Sequence, residues 1–218
     1  GSGLVSISEN SLPQFSISTI SEANSGYYYD LSLDQDGFAR IAVRYGSGGV
    51  NDLKFIRCTN LDCSERVSTM VDTGLLYAPV SIGIGQDGLA RISYITSSAN
   101  IVKFARCTNA DCTTKVITTI PAATSVTEIS LVMGLDGFAQ IIYRDSATNT
   151  LKFVKCADND CIINNIATID SGSWFTDFSI ALGLDGFARI SYHVVSSADL
   201  KYARCTNLNC TTKVITTV

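Results

Sequence analysis

The chain is poor in the residues that most enzymes and membrane proteins lean on. Histidine occurs once, at position 193, and no Gly-x-Ser-x-Gly elbow appears in the 218 residues, so nucleophilic catalysis of the serine-histidine type finds little support. Charged residues make up only 17% of the chain against 46% apolar, which excludes an extended charged, disordered protein. No apolar run reaches the 18 or so residues of a membrane-spanning helix. Net charge is −4 and the isoelectric point is near 4.9; duplex nucleic acid and anionic membrane both want a basic surface, so neither is expected as partner, and no membrane insertion is expected. No segment offers a convincing helical period.

What is abundant is repetition. Cysteine pairs fall at Cys58/Cys63, Cys107/Cys112, Cys156/Cys161 and Cys205/Cys210, each pair 49 residues after the one before. An Asp-Gly turn signal recurs at 34–37, 85–88, 134–137 and 183–186, the first interval lengthened by an insertion of two residues between 46 and 50. Each unit reads as four short alternating strands, SIALG, FARISYH, LKYARC and TKVITTV in the last copy, and Asp-Gly predicts a two-residue hairpin turn between the first two. Four antiparallel strands about every 49 residues is the signature of a β-propeller blade, whose apolar residues lie on both faces because neighbouring blades cover it. The expected blades are 21–71, 72–120, 121–169 and 170–218.

Residues 1–3 read as a cloning remnant. Residues 4–20 align with 55–71, that is, with the third and fourth strands of a unit, and Ile7 and Leu12 stand where Cys58 and Cys63 stand. The fold expected is therefore all-β: a propeller of four full blades preceded by a half blade, either a four-bladed ring or an incomplete five-bladed one. The half blade can cap the ring, belong to a longer parent, or pair with a second copy to form a homo-oligomer, because an unpaired sheet edge has to be covered.

The stretch SIALGLDGFARISY (179–192) followed by LKYAR (200–204) resembles repeats of bacterial secreted and surface proteins of the type Ser-Leu-Ala-x-Asp-x-x-Gly-x-x-x-Ile-Ser-Tyr, then Leu-Lys-x-Ala. The resemblance covers residues 21–218 in four registers. It implies a β-propeller and carries no function, since propellers host enzymes and binding modules alike. The cysteine pairs and the arginine after the hairpin depart from that pattern.

A structural zinc needs four ligands, and each cysteine pair sits in one hairpin of a separate unit. A redox site would favour Cys-x-x-Cys and hardly need four copies. A disulfide across a tight turn explains the pattern, with opposed hairpin positions within bridging distance, and four of them point to an oxidising compartment and a secreted or surface location. Eleven of the sixteen basic residues occupy three repeat positions: Arg40, Arg91 and Arg189; Lys54, Lys103, Lys152 and Lys201; Arg57, Arg106, Lys155 and Arg204. Such periodicity suits framework pairs with aspartates or carbonyls. Asp34-Gln35-Asp36-Gly37 lacks the further oxygen ligands of a calcium loop, and no metal or cofactor is called for.

The copies diverge most between the fourth strand of one unit and the first of the next. Tyr27, Tyr28, Tyr77, Trp174 and Phe175 concentrate there beside Glu128 and Asp177. Glu128 and Asp177 fall at one repeat position, whose copies in the other units are Tyr28 and Pro79, and this pair is expected to face the central channel. Aromatic faces beside acids suit a sugar ring or a protein anchor. The function expected is a lectin-like or adhesive module that recognises a glycan or a surface protein. The alternative is a structural or assembly module without a small ligand. A glycosidase using Glu128 and Asp177 as paired carboxylates ranks third.

Overall fold

The computed structural model describes residues 19–20, 25–46, 51–96, 100–120 and 125–218, with only the backbone described at 25–27 and 76–78. Among the described residues there are fifteen strands and no helix. The first unit holds β1 (Ser25–Leu33), β2 (Ala39–Tyr45), β3 (Asn51–Cys58) and the opening part of β4 (Arg66–Ile84). The second takes the rest of β4 with β5 (Ala90–Thr96), β6 (Val102–Cys107) and β7 (Lys115–Thr119). The third comprises β8 (Val126–Met133), β9 (Ala139–Asp145), β10 (Thr150–Cys156) and β11 (Asn164–Ser171). The fourth comprises β12 (Phe175–Leu182), β13 (Ala188–Val194), β14 (Asp199–Cys205) and β15 (Lys213–Thr217).

Every pairing is antiparallel between neighbours in sequence, and the third and fourth units are separate four-stranded sheets. The first two are joined because β4 runs on through the expected boundary at 71/72: Arg66–Asp72 pairs with β3, Val80–Ile84 pairs with β5, and Leu75 pairs with both Asn51 and Thr96. Of the half blade expected at 4–20, only Thr19 and Ile20 lie among the described residues. Ile20 packs on Val43, Ile56, Cys58 and Cys63 of the first unit.

Two turns recur in every unit, and both differ in detail from expectation. The Asp-Gly connection is a three-residue loop: the N–H groups of Asp34 and Gly37 donate to the carbonyls of Phe38 and Asp34, and Gly37 has φ 78°. Only the glycine is left-handed, as in a type I turn followed by a one-residue bulge, whereas the type I′ turn of a two-residue Asp-Gly loop would need both residues there. The carboxylate of Asp36 accepts the N–H of Phe38, and Asp87, Asp136 and Asp185 do the same one unit apart.

At the outer turn all four disulfides are formed, with Cα–Cα separations of 4.7 to 4.8 Å. The two cysteines are not opposed across the ladder, because Cys58 faces Arg66. Cys63 instead ends the turn, donating its N–H to the Asn60 carbonyl at φ 56°, and Cys112, Cys161 and Cys210 share that left-handed backbone. A non-glycine residue rarely sits there, and the bridge and turn bond together hold it.

The core lies between units. One buried cluster combines Ala42, Leu53 and Phe55 of the first unit with Ile92, Tyr94 and Ala105 of the second; the next joins the second and third, and another the third and fourth. Polar links cross the same junctions. Asp72, at the end of the first unit, accepts from Tyr94 Oη at 2.7 Å and Lys103 Nζ at 2.8 Å; Asp170 does the same for Tyr192 and Lys201. The periodic arginines also serve as framework. Arg57 pairs with Asp111 and Arg106 with Asp160, each one unit on, while Arg40 sits between Asp34 and Asp36 at 2.8 and 2.7 Å.

Candidate functional site

The first strand of each unit is interrupted at one repeat position. Its register with the second strand shifts between Ser25 and Tyr29, Leu75 and Val80, Val126 and Ile129, and Thr176 and Ser179. An extra residue in one strand of a pair bends the strand and re-aims the side chains it carries. The residues at this irregularity, Tyr28, Pro79, Glu128 and Asp177, come from four different units and line one open cleft of about 410 Å³, completed by Thr127, Ile129 and Phe178.

The acids are coupled there. The backbone N–H of Asp177, held at φ 50°, donates to Glu128 Oε2 at 3.1 Å. Burial raises the Glu128 pKa above its ordinary value, and the neighbouring Asp177 carboxylate pushes the same way; the Asp177 N–H and the Arg144 charge oppose this without cancelling it.

A cation not singled out by the sequence completes the site. Arg144, on β9, is 2% exposed, and its guanidinium lies 4.0 Å from the ring centre of Trp174. Its Nη1 donates to Thr127 Oγ1 at 3.1 Å, which ties the stack to the cleft wall. Its Nε has no hydrogen-bond partner among the described residues, and burial lowers its pKa while the Glu128 charge opposes the change. Trp174 remains 56% exposed despite the stack. The equivalent of Arg144 in the fourth unit is His193, whose Nδ1 lies 3.3 Å from Thr176 Oγ1; in the first it is Arg44, 5.6 Å from the Tyr28 ring centre. These side chains lie outside the three periodic basic positions. That departure from the repeat was the available signal.

Of the expected site residues, the structure brings together Tyr28, Glu128 and Asp177, and connects Trp174 to them through Arg144 and Thr127. Phe175 is corrected: it is fully buried in the core shared by the third and fourth units, edge-on to Tyr192 at 5.7 Å. Trp174, just before β12, stays exposed while Phe175, the first residue of β12, turns into the core. The side chains of Tyr27 and Tyr77 lie outside the described residues. Among the described residues no group of three or more histidine, cysteine, aspartate or glutamate side chains is placed to hold a metal ion.

No family model matches the chain, and no curated protein is similar to it in sequence. Among solved structures it is similar to a protein of unknown function from Dyadobacter fermentans DSM 18053, with a TM-score of 0.65 at 10% identity over 87% of this chain. The chain spans 64% of the length of that protein. At such identity the likeness speaks for the fold alone.

Proposed function

We propose that the four units are blades of a β-propeller and that the chain is a secreted or cell-surface module that binds a glycan at the cleft between Tyr28 and Asp177. The observation that carries this reading is the convergence of four copies of one repeat position on a single cleft, which an arrangement of units about a common axis provides. The chemistry is that of a sugar site. Trp174, with one face on Arg144, offers its remaining surface for the C–H face of a pyranose, and Glu128 and Asp177 supply acceptors for its hydroxyls. The volume suits one or two sugar rings rather than a protein surface, for which a buried patch of far larger area is needed. Four disulfides favour an oxidising compartment.

A glycan array probed with the folded protein tests this, followed by titration of the best binder. Trp174→Ala and Glu128→Gln should each weaken that binder at least tenfold with the melting temperature kept within a few degrees. An array without signal, or binding indifferent to both substitutions, overturns the glycan reading and leaves the assembly role as the better description.

A further inference from the structure

Three repeat positions are buried in units one to three and exposed in the fourth. Leu53, Val102 and Leu151 are sealed, but Leu200 is 48% exposed; Phe55, Phe104 and Phe153 are sealed, but Tyr202 is 36% exposed; Val71, Ile120 and Ile169 are buried, but Val218 is 79% exposed. Nothing in the composition of the fourth unit calls for this, since the residues stay large and apolar. The difference lies in what covers them.

The internal junctions say what the cover is. Leu53, Phe55 and Val71 share a core cluster with Ala105, Cys107 and Cys112 of the following unit. Val102, Phe104 and Ile120 share one with Val154, Cys156 and Cys161, and Leu151, Phe153 and Ile169 share one with Ala203, Cys205 and Cys210. In every case the cover is a small or branched residue on the third strand plus the buried disulfide beside it. The first unit has the same surface, Ile56, Cys58 and Cys63, and there Ile20 packs on it. Ile20 thus occupies, in repeat register, the place that Val71 and Ile120 occupy at the later junctions.

Residues 4–20 carry, in repeat register, the residue positions that supply this cover at the other junctions. In the same register Val5 stands at the position of Ile56, Ala105, Val154 and Ala203, and Ile7 and Leu12 stand at the two cysteine positions. Where the other units carry an apolar disulfide against the preceding unit, this segment carries two aliphatic residues, apolar without a bridge. Its far end is already fixed on the first unit by Ile20, and a short tether makes the second contact effectively intramolecular.

We propose that Leu200, Tyr202 and Val218 are the seat for residues 4–20 of the same chain, with Val5, Ile7 and Leu12 against them, so that this segment joins the fourth unit to the first. The contact rests on the repeat register of residues 4–20 and is independent of the ligand; glycan binding, which concerns the cleft at Glu128 and Trp174, does not enter its test.

The test is photo-crosslinking of the full chain carrying p-benzoyl-phenylalanine in place of Tyr202, after alkylation has established that all four disulfides are intact. The expected product is a monomer with residue 202 joined to a peptide from 4–20. A covalent dimer joined through the same peptides, or a product that omits 4–20, overturns the proposal. Hydrogen exchange of the unlabelled protein supplies the second reading: Ile7→Asp with Leu12→Asp should accelerate exchange in residues 200–204 and 213–217 at least tenfold while leaving 150–156 unchanged. Equal rates in the two regions before and after substitution also overturn it.

Discussion

Tyr192 and Tyr143 are copies of one repeat position in opposite circumstances, and replacing each by phenylalanine should separate a polar pin from a burial penalty. Both are fully buried. Tyr192 Oη donates to Asp170 at 2.9 Å, and Lys201 Nζ meets the same oxygen at 3.0 Å. Tyr143 Oη has no partner among the described side chains and backbone; in sequence register the position of Asp72 and Asp170 holds proline, at 121, in this unit, and Lys152 turns to Thr168. A hydrogen bond to a charged group contributes about 1.5–3 kcal/mol, and an unmet buried hydroxyl costs about 1–3 kcal/mol. Tyr192→Phe should therefore lower stability by about 2 kcal/mol, or roughly 4–8 °C for a domain of this size. Tyr143→Phe should be neutral or stabilising by about 1 kcal/mol. Asp170→Ala removes the shared acceptor and orphans both partners, so it should cost more than Tyr192→Phe, on the order of 3 kcal/mol. Chemical denaturation with an unchanged m-value, followed at Trp174, reads all three. Equal losses at Tyr143 and Tyr192 would refute the reasoning, since burial of the ring would then be all that matters.

The same carboxylates give a pH signature: burial pushes the pKa values of Asp72 and Asp170 up, but their lysine, tyrosine and backbone donors outweigh it and leave both lowered from 3.8. Their stabilising share is thus complete above the ordinary carboxylate value and lost as pH falls through the lowered one, a loss that Asp72→Asn with Asp170→Asn should flatten in acid denaturation. Glu128 has the opposite sign: its raised pKa favours the fold below the ordinary value and the benefit disappears as pH rises through the raised one, so Glu128→Gln should raise the melting temperature slightly at neutral pH while weakening ligand binding. Replacing Cys107 and Cys112 by Ile and Leu, the pair found at 7 and 12, should cost only the loop constraint of about 2 kcal/mol, and replacement by two serines distinctly more, since both sites are sealed in the junction; equal losses in urea unfolding would contradict the packing role. Pro79→Glu brings a third acid to the cleft and should lift the Glu128 pKa further by like-charge repulsion, read by carboxyl NMR titration; an unmoved value would mean that position 79 does not share the cleft.

The strands and the cysteine pairing were legible because each rests on local chemistry repeated four times. Alternation set the strands, and the 49-residue spacing made any single misreading visible against three other copies. The conformations inside the turns were less so. Asp-Gly is compatible with a two- or a three-residue loop, and the choice follows from the bond between Asp34 and Phe38, a pairing that no short motif encodes. The second cysteine of each pair reads as a ladder partner in sequence, yet it closes the turn in a backbone region unfavourable to most side chains. Phe175 was misread because its place in a divergent stretch hid that it opens β12 and packs into the junction between the third and fourth units.

The site was half legible for a related reason. Glu128 and Asp177 could be placed together because they share a repeat position, and the register of each first strand breaks at that position whatever residue it holds. Arg144 escaped notice because its position holds arginine, isoleucine and histidine in different units, and only the fold reveals that it stacks on Trp174. The framework charges are satisfied within the repeat: Arg40, Arg91 and Arg189 each meet the aspartate of their own turn, which leaves them no net charge to offer a ligand. Among the described residues Arg144 makes no ion pair of that kind, and its guanidinium is divided between an aromatic face and one hydroxyl. A buried cation so lightly held retains capacity to organise its neighbours. Set beside an acid whose pKa burial has raised, it puts opposite charges in a partly buried setting, where electrostatic interactions are stronger than in water.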